Sequence, residues 1–195
     1  GAIKQLTATT VNSVVAVLAF FLWCDSMVIK QTEKLKFGGV RMKIEKCTKS
    51  AFVVIGKEGS TLDGQGFIQK LWSDANSHFS EVQPLAKKDE NGNLVGIWGA
   101  MSDCSHLYKP WEDNFSKGLY LAGVECIDDA EAPEGWTKWT IPGYEYICAE
   151  AENENTFSEV LDYMRANNIT LVGAVHDFSC PVNGKNYMFF PIRII

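Results

Sequence analysis

Two stretches of the chain repeat their apolar residues every three or four positions, and this periodicity most constrains the fold. They run from Gln65 to Val82 and from Asn155 to Asn167, and each predicts an amphipathic helix with one buried face. One strand-like run precedes each helix and two follow it, without the long crossovers that parallel strands need. The sequence therefore predicts an α+β fold: a duplicated strand–helix–strand–strand unit forming a pseudo-symmetric antiparallel sheet with two helices and a central groove.

The strand-like runs are rich in β-branched and aromatic residues, which favour extended structure. A loop of about sixteen residues, with Pro110 and Trp111 in its middle, separates the second run from the third and is long enough to be a lid or a binding loop. The predicted strands are Lys43 to Lys57, Leu94 to Ser102, Leu119 to Ile127, Trp136 to Glu152, Ile169 to Phe178 and Asn186 to Ile195.

The N-terminal segment differs from the rest of the chain. Its apolar stretch from Val14 to Cys24 is shorter than the roughly 20 residues that span a bilayer, and its flanks lack the features of a signal peptide. Gly38 and Gly39 lie just before Met42, which is compatible with a ribosome-binding sequence translated in frame. One hypothesis makes residues 1–41 a translated leader, and the other makes them an extra N-terminal helix. In both, the predicted α+β domain covers residues 42–195.

The charge and the cysteines restrict the class of protein. The net charge is −6 and no run of Lys or Arg occurs, which argues against direct binding to nucleic acid, because phosphate contacts need a basic face. No two cysteines form a CxxC pair, so we expect them to be reduced core residues of a cytoplasmic protein. The six cysteines are Cys24, Cys47, Cys104, Cys126, Cys148 and Cys180.

The histidines give no sign of a metal or cofactor site. His78, His106 and His176 lack the spacing of zinc ligands. Cys104 and His106 lie too close in sequence to suggest a nucleophile and its base, since catalytic Cys and His are normally neighbours in space. The sequence therefore predicts neither a metal nor a cofactor.

Glu125 is the most informative polar residue, because it lies in the otherwise apolar run LYLAGVECI. A desolvated carboxylate needs a cation, hydrogen-bond donors or a proton. A pocket awaiting a cationic ligand would meet that need, and nearby aromatic residues could hold a flat cation through contacts of about 0.5–2 kcal/mol each. The alternatives are a carboxylate satisfied by Tyr or Trp donors and a carboxylate that faces solvent.

Four motifs resemble successive signatures of the GyrI-like, or AraC-type effector-binding, family. They are IWGAMSD (Ile97 to Asp103), YLAGVEC (Tyr120 to Cys126), TIPGYEY (Thr140 to Tyr146) and FFPIRI (Phe189 to Ile194). The resemblance runs from Met42 to the C-terminus and implies the duplicated unit predicted above. Members of the family are effector domains of multidrug-sensing regulators, stand-alone drug-binding proteins and some hydrolases of cyclopropane-bearing toxins.

The resemblance also assigns site residues. It places the acidic anchor of the family on Glu125 and a pocket aromatic on Trp98. Family members often carry Phe-Glu-x-Tyr in the penultimate strand, where this chain reads HDFS from His176, so that Asp177 is a second acid and the tyrosine is absent. The ligand-binding residues expected are Glu125, Trp98, Tyr120, Tyr146, Asp177, Phe178 and Tyr187.

The predicted function is reversible binding of an amphipathic, cationic aromatic compound by a stand-alone domain, for drug or toxin sensing or for sequestration. The first alternative is a hydrolase of electrophilic, cyclopropane-type toxins with Glu125 as the general base. The second is a protein-interaction module. A homodimer is compatible with either, and neither nucleic acid nor a membrane is an expected partner.

Overall fold

The computed structural model describes residues 27–37 and 40–195, with side chains from residue 43 onward. These residues form three helices and nine strands of one sheet, in which every pairing is antiparallel. The predicted α+β class with an antiparallel sheet is therefore confirmed.

The order of the nine strands in the sheet is β1-β2-β7-β9-β8-β4-β5-β3-β6. The strands are β1 Met27–Phe37, β2 Val40–Lys49, β3 Phe52–Ser60, β4 Ile97–Ser102, β5 Leu119–Cys126, β6 Thr137–Ile141, β7 Tyr144–Glu150, β8 His176–Ser179 and β9 Asn186–Ile194. The helices are α1 Phe67–Ser77, α2 Glu112–Phe115 and α3 Thr156–Ala166.

Two of the predicted strands are each divided into two, the first into β2 and β3 and the fourth into β6 and β7. Lys49 pairs with Tyr144 on one side of the break, and Phe52 pairs with Ile141 on the other. The register is thus continuous, and the four strands form one long ribbon that bends. The bend falls at two exposed residues in one strand and at Pro142 in the other, because proline cannot donate a ladder hydrogen bond.

The two long helices lie close to their predicted positions. The first is shorter than the predicted range of Gln65 to Val82, since α1 ends at Ser77 and the chain continues as two 3-10 turns around Pro84. The extra element, α2, is a single turn inside the long loop, and its residues Asp113 and Asn114 have left-handed rather than α-helical backbone. Of the predicted strand Ile169 to Phe178, only the last residues, which belong to β8, pair in a ladder with neighbouring strands. None of the helices in the described ranges is long and apolar enough to cross a membrane.

The two faces of the sheet are covered differently. On the helix face, α1 packs against β3, β4 and β5, and α3 packs against β2, β7 and β9. The other face lies inside the bent ribbon, and we call it the closed face. Its buried cluster includes Phe52, Trp98, Leu121, Tyr146, Phe178 and Phe189. Because side chains alternate along a strand, neighbouring residues of β5 and β8 belong to opposite faces.

Residues before Met42 take part in the sheet. Strand β1 pairs with β2 at the edge of the sheet, and β2 itself begins at Val40. The apolar stretch from Val14 to Cys24 lies outside the described residues. Both hypotheses for residues 1–41 therefore stay predictions for that stretch.

One pair of cysteines corrects the prediction that all six are reduced. Cys47 of β2 and Cys148 of β7 form a disulfide, whereas Cys104, Cys126 and Cys180 are free. The two partners are 101 residues apart in sequence but point to the same face of adjacent strands. Sequence spacing could not reveal this pairing, because it depends on which strands are neighbours.

Candidate functional site

The predicted ligand-binding residues divide between the two faces of the sheet. The pleat separates them, since Asp177 and Phe178 are consecutive and Tyr120 lies an odd number of positions before Glu125. Tyr187 lies at the margin, where it lines a cavity and also packs against the closed-face cluster. Glu125, Trp98, Tyr146 and Phe178 are on the closed face, and Tyr120 and Asp177 are on the helix face.

On the closed face, Glu125 is already satisfied by groups of the protein. Its side chain is 1% exposed, and the equally buried Lys49 places its Nζ 3.1 Å from Glu125 Oε1. The indole Nε1 of Trp98 donates to Oε2 at 3.2 Å. The Trp donor was one of the alternatives left open by the sequence, but the Lys49 partner was missed. A lysine at a strand end looks like a solvated residue, and only its alternation with buried Cys47 in β2 indicates the closed face.

Aromatic rings complete the surroundings of this ion pair. Lys49 Nζ lies 4.5 Å from the ring centroid of Phe52 and 5.9 Å from that of Trp98. The Tyr146 hydroxyl is buried and has no hydrogen-bond partner among the described residues. Burial, with the nearby Tyr144 and Glu125, raises the pKa of Tyr146, so the phenol stays protonated. We call Glu125, Trp98, Phe52 and Tyr146 the Glu125 cage.

The helix face carries two adjoining cavities that share Asp177 and Met188. The larger has a volume of about 250 Å³ and the smaller about 170 Å³. We call them together the Asp177 cleft. The larger is lined by Met101, Trp111, Phe115, Phe157, Val175, Asp177 and Met188. The smaller includes Trp72, Gly99, Tyr120, Asn186 and Tyr187.

Asp177 is held at the centre of the cleft by a short hydrogen-bond chain. The Tyr120 hydroxyl donates to Asp177 Oδ2 at 3.3 Å, and Trp72 Nε1 donates to the Tyr120 oxygen at 3.2 Å. Gly99 makes this possible, because a Cβ there would collide with the Tyr120 hydroxyl. Burial, and then the Asp177 carboxylate, raise the pKa of Tyr120 well above its usual value. Tyr120 therefore stays a neutral donor to Asp177.

The rim of the cleft comes from the long loop before β5. Trp111 Nε1 donates to the carbonyl of Leu119 at 2.9 Å, and the Phe115 ring meets Phe157 of α3 edge to face at 5.2 Å between centroids. Left-handed backbone at non-glycine residues is concentrated in this loop and commonly marks ligand clamps. The residues with positive φ are His106, Tyr108, Asp113, Asn114 and Phe115.

The first part of the same loop is fixed by Asp103. Its carboxylate accepts hydrogen bonds from the backbone N–H groups of Ser105, Leu107 and Lys109. Burial alone would raise the pKa of Asp103, but these donors and the Ser102 hydroxyl outweigh it and lower the pKa. Asp103, the last residue of the IWGAMSD motif, therefore has a structural role.

His176 precedes Asp177 in β8 and lies on the same side of the strand as Phe178, next to Trp98 of the closed face. It is fully buried, and its Nδ1 accepts from the backbone N–H of Met101 at 3.0 Å. Burial lowers its pKa to about 3, so the ring is neutral at physiological pH. Its Nε2 has no partner among the described residues, and the ring stands edge-on to Trp98 at 6.4 Å. Within residues 43–195, no three His, Cys, Asp or Glu side chains could together hold a metal ion.

Comparisons with known proteins identify the fold. No protein-family model and no curated protein matches the chain. The solved structure of SAV2435 bound to tetraphenylphosphonium matches with a TM-score of 0.51 and 16% identity, covering 79% of this chain and 94% of that chain. An integron cassette protein from the mobile metagenome of Vibrio cholerae matches with a TM-score of 0.48 and 16% identity, covering 77% of this chain and 95% of that chain. The likeness to SAV2435 shows a shared fold, in agreement with the GyrI-like effector-binding fold that the motifs predict.

Proposed function

We propose that this protein reversibly binds an amphipathic, cationic aromatic small molecule in the Asp177 cleft. The observation that supports this most directly is the meeting of two cavities at one half-buried carboxylate. A carboxylate among apolar groups favours a cation beside it. Joined, the cavities of about 250 Å³ and 170 Å³ fall within the range of about 300–1,000 Å³ that is typical of small-molecule sites.

The walls of the cleft suit an aromatic ligand. Trp111, Phe115 and Phe157 line the larger cavity, and Trp72 lines the smaller. Aromatic faces attract cations, and stacked rings add apolar contact. The flexible thioethers of methionine adapt to ligands of different shape. The tetraphenylphosphonium bound to SAV2435 is a cation surrounded by aromatic rings, which is the chemistry that we propose for this chain.

We further propose that the cleft is the groove between two copies of the duplicated unit. The elements β3-α1-β4-β5 and β7-α3-β8-β9 have the same order along the chain, and their strands lie in the sheet as β4-β5-β3 and β8-β9-β7. The two sets meet at the β4–β8 ladder, where Gly99 pairs with Asp177. Drug or toxin sensing, or sequestration, would follow from binding at this position.

Hydrolysis with Glu125 as the general base is less well supported. A base must be within hydrogen-bond reach of the water that it activates. Glu125 is 1% exposed and bonded to Lys49 and Trp98. We therefore propose binding without turnover.

Titration calorimetry with two ligands of similar size tests the proposal. Tetraphenylphosphonium is the cation and triphenylphosphine oxide the neutral aromatic compound, each titrated into the wild type and into Asp177→Asn. We expect the substitution to weaken cation binding at least tenfold, equal to about 1.4 kcal/mol, and to leave the neutral compound within twofold. Asp162→Asn is the matched control, because Asp162 is an exposed acid on α3.

Two results would count against this site. Equal cation affinity of wild type and Asp177→Asn would remove Asp177 as the anchor. Loss of binding in a folded Glu125→Gln variant, with binding retained in Asp177→Asn, would move the ligand to the closed face.

A further inference from the structure

The Glu125 cage has the composition of a cation-binding site. It offers a carboxylate, an indole that fixes that carboxylate, the face of Phe52 and a buried phenol without a hydrogen-bond partner among the described residues. Acids combined with aromatic faces recognise alkylammonium groups. All four side chains of the cage are 3% exposed or less, so the cage is closed to solvent while Lys49 occupies it.

We propose that the Glu125 cage is a binding site for a primary ammonium group and that its resident occupant is the side chain of Lys49. The Lys49 ammonium lies 3.1 Å from the carboxylate and 4.5 Å from the Phe52 centroid. Fully buried lysines are rare. An apolar pair of similar volume often stabilises a core as well as an ion pair does, or better. Stability alone therefore does not explain why this core contains the Lys49–Glu125 pair.

The position of Lys49 in the fold shows how the occupant enters the cage. Lys49 is the last residue of β2, directly before the bend of the long ribbon, and Ser50 and Ala51 at the bend are exposed. The ammonium is thus tethered from the edge of the cage by its own aliphatic chain. While Lys49 is in place, a cationic ligand finds no vacant position beside Glu125. This assignment does not depend on the function proposed for the Asp177 cleft.

Replacing the tethered cation by a free one tests the assignment. Lys49→Ala removes Cγ, Cδ, Cε and Nζ, and n-propylammonium contains the same four heavy atoms. Thermal unfolding is measured with increasing n-propylammonium chloride at constant ionic strength, for wild type and Lys49→Ala. We expect a saturable rise in the Tm of Lys49→Ala of about 5 °C or more at hundredfold excess over Kd, and no comparable rise for wild type.

Two controls separate ammonium recognition from filling of a hole. 1-Propanol supplies the same apolar chain without the charge, and the double variant Lys49→Ala/Glu125→Gln lacks the carboxylate. We expect at least tenfold weaker stabilisation by n-propylammonium in the double variant than in Lys49→Ala. Equal effects of n-propylammonium on wild type and Lys49→Ala, or of 1-propanol and n-propylammonium on Lys49→Ala, would overturn the proposal.

If Lys49→Ala does not fold alone, refolding from urea replaces thermal unfolding as the measurement. Recovery of folded protein that increases with n-propylammonium and not with 1-propanol supports the assignment. Absence of recovery at any amine concentration overturns it, because the vacated cage then does not accept the ammonium group.

Discussion

Glu125 and Asp177 are acids on opposite faces of one sheet, and their surroundings differ. Each carboxylate accepts a hydrogen bond from an aromatic side chain, Trp98 in one case and Tyr120 in the other. Glu125 is 1% exposed and has Lys49 beside it, whereas Asp177 is half-buried and lies between two cavities. The buried cation beside Glu125 therefore explains that acid as part of the core, whereas the two cavities beside Asp177 are what make it the proposed anchor of a ligand.

The largest effect is expected from breaking the ion pair of the closed face. Lys49→Met leaves Glu125 buried without its cation and should lower the free energy of unfolding by about 3–5 kcal/mol. The double variant Lys49→Met/Glu125→Gln removes both charges and should recover most of that loss. Urea unfolding of the wild type, Lys49→Met, Glu125→Gln and the double variant gives the coupling energy of the pair.

Lys46→Met is the matched control for this cycle, because Lys46 is a partly exposed lysine of the same strand. It should change the free energy of unfolding by less than about 0.5 kcal/mol. A loss below 1 kcal/mol for Lys49→Met would mean that Glu125 is not a desolvated partner, and the distinction between the two acids would fail.

The second effect concerns His176, the residue before Asp177 in β8, whose pKa burial lowers from its ordinary 6.5 to about 3. Between these values the unfolded chain binds a proton that the folded protein does not. The contribution of His176 to the free energy of unfolding is therefore complete above pH 6.5. It is lost as the pH falls toward 3, with a slope of up to about 1.4 kcal/mol per pH unit.

His176→Asn keeps an acceptor for the backbone N–H of Met101 but removes the titrating group. The difference between the unfolding free energies of wild type and His176→Asn, measured from pH 7 to pH 4, should show this slope. Carboxylates such as Asp103 titrate in both proteins and cancel in the difference. Parallel curves would show that His176 is not held neutral in the folded state.

The sequence predicted the elements better than their arrangement. The two helices follow from three- and four-residue periodicity, which is local information. The bend that divides the first strand at Ser50 depends on the strand opposite, and the Cys47–Cys148 disulfide depends on which strands are adjacent. Both are properties of pairing, which periodicity does not contain.

The residues of the candidate site were also predicted only in part. The prediction assigned both acids to one pocket with Trp98, Tyr120, Tyr146, Phe178 and Tyr187, and it did not include Trp72, Trp111, Phe115 and Phe157, which line the cleft. Alternation along β5 alone would have separated Tyr120 from Glu125, because they are five positions apart. The contribution of Phe115 and Phe157 to the cleft could not be predicted, because a loop and a distant helix bring them together.

A smaller effect distinguishes the two tyrosine hydroxyls. Tyr120→Phe removes the donor to Asp177 and the acceptor of Trp72, so it should cost about 1–2 kcal/mol. Tyr146→Phe removes a buried hydroxyl without a partner among the described residues and should be neutral or stabilising. Urea unfolding of this matched pair tests the assignment, and a larger loss for Tyr146→Phe would reveal a polar partner on the closed face.

The smallest effect is expected at the rim of the cleft, where Asn114 is exposed and has a φ of 55°. Asparagine and glycine tolerate left-handed backbone, but alanine does not. Asn114→Ala should therefore cost about 1 kcal/mol, whereas Asn114→Gly should change the free energy of unfolding by less than about 0.5 kcal/mol.

Asn168→Ala gives the reference value for this comparison, since Asn168 has the same φ of 55° just after α3 and does not line either cavity of the cleft. Similar losses in the free energy of unfolding at both positions would mean that the rim contributes to stability no differently from an ordinary left-handed turn. Only Asn114→Ala should also weaken binding of tetraphenylphosphonium, because the next residue, Phe115, forms part of the cleft wall. Unchanged binding of tetraphenylphosphonium would show that the Phe115 ring does not need the left-handed backbone at residue 114 to keep its position. Binding would then depend on Asp177 and the strands of the sheet, and not on the conformation of this loop.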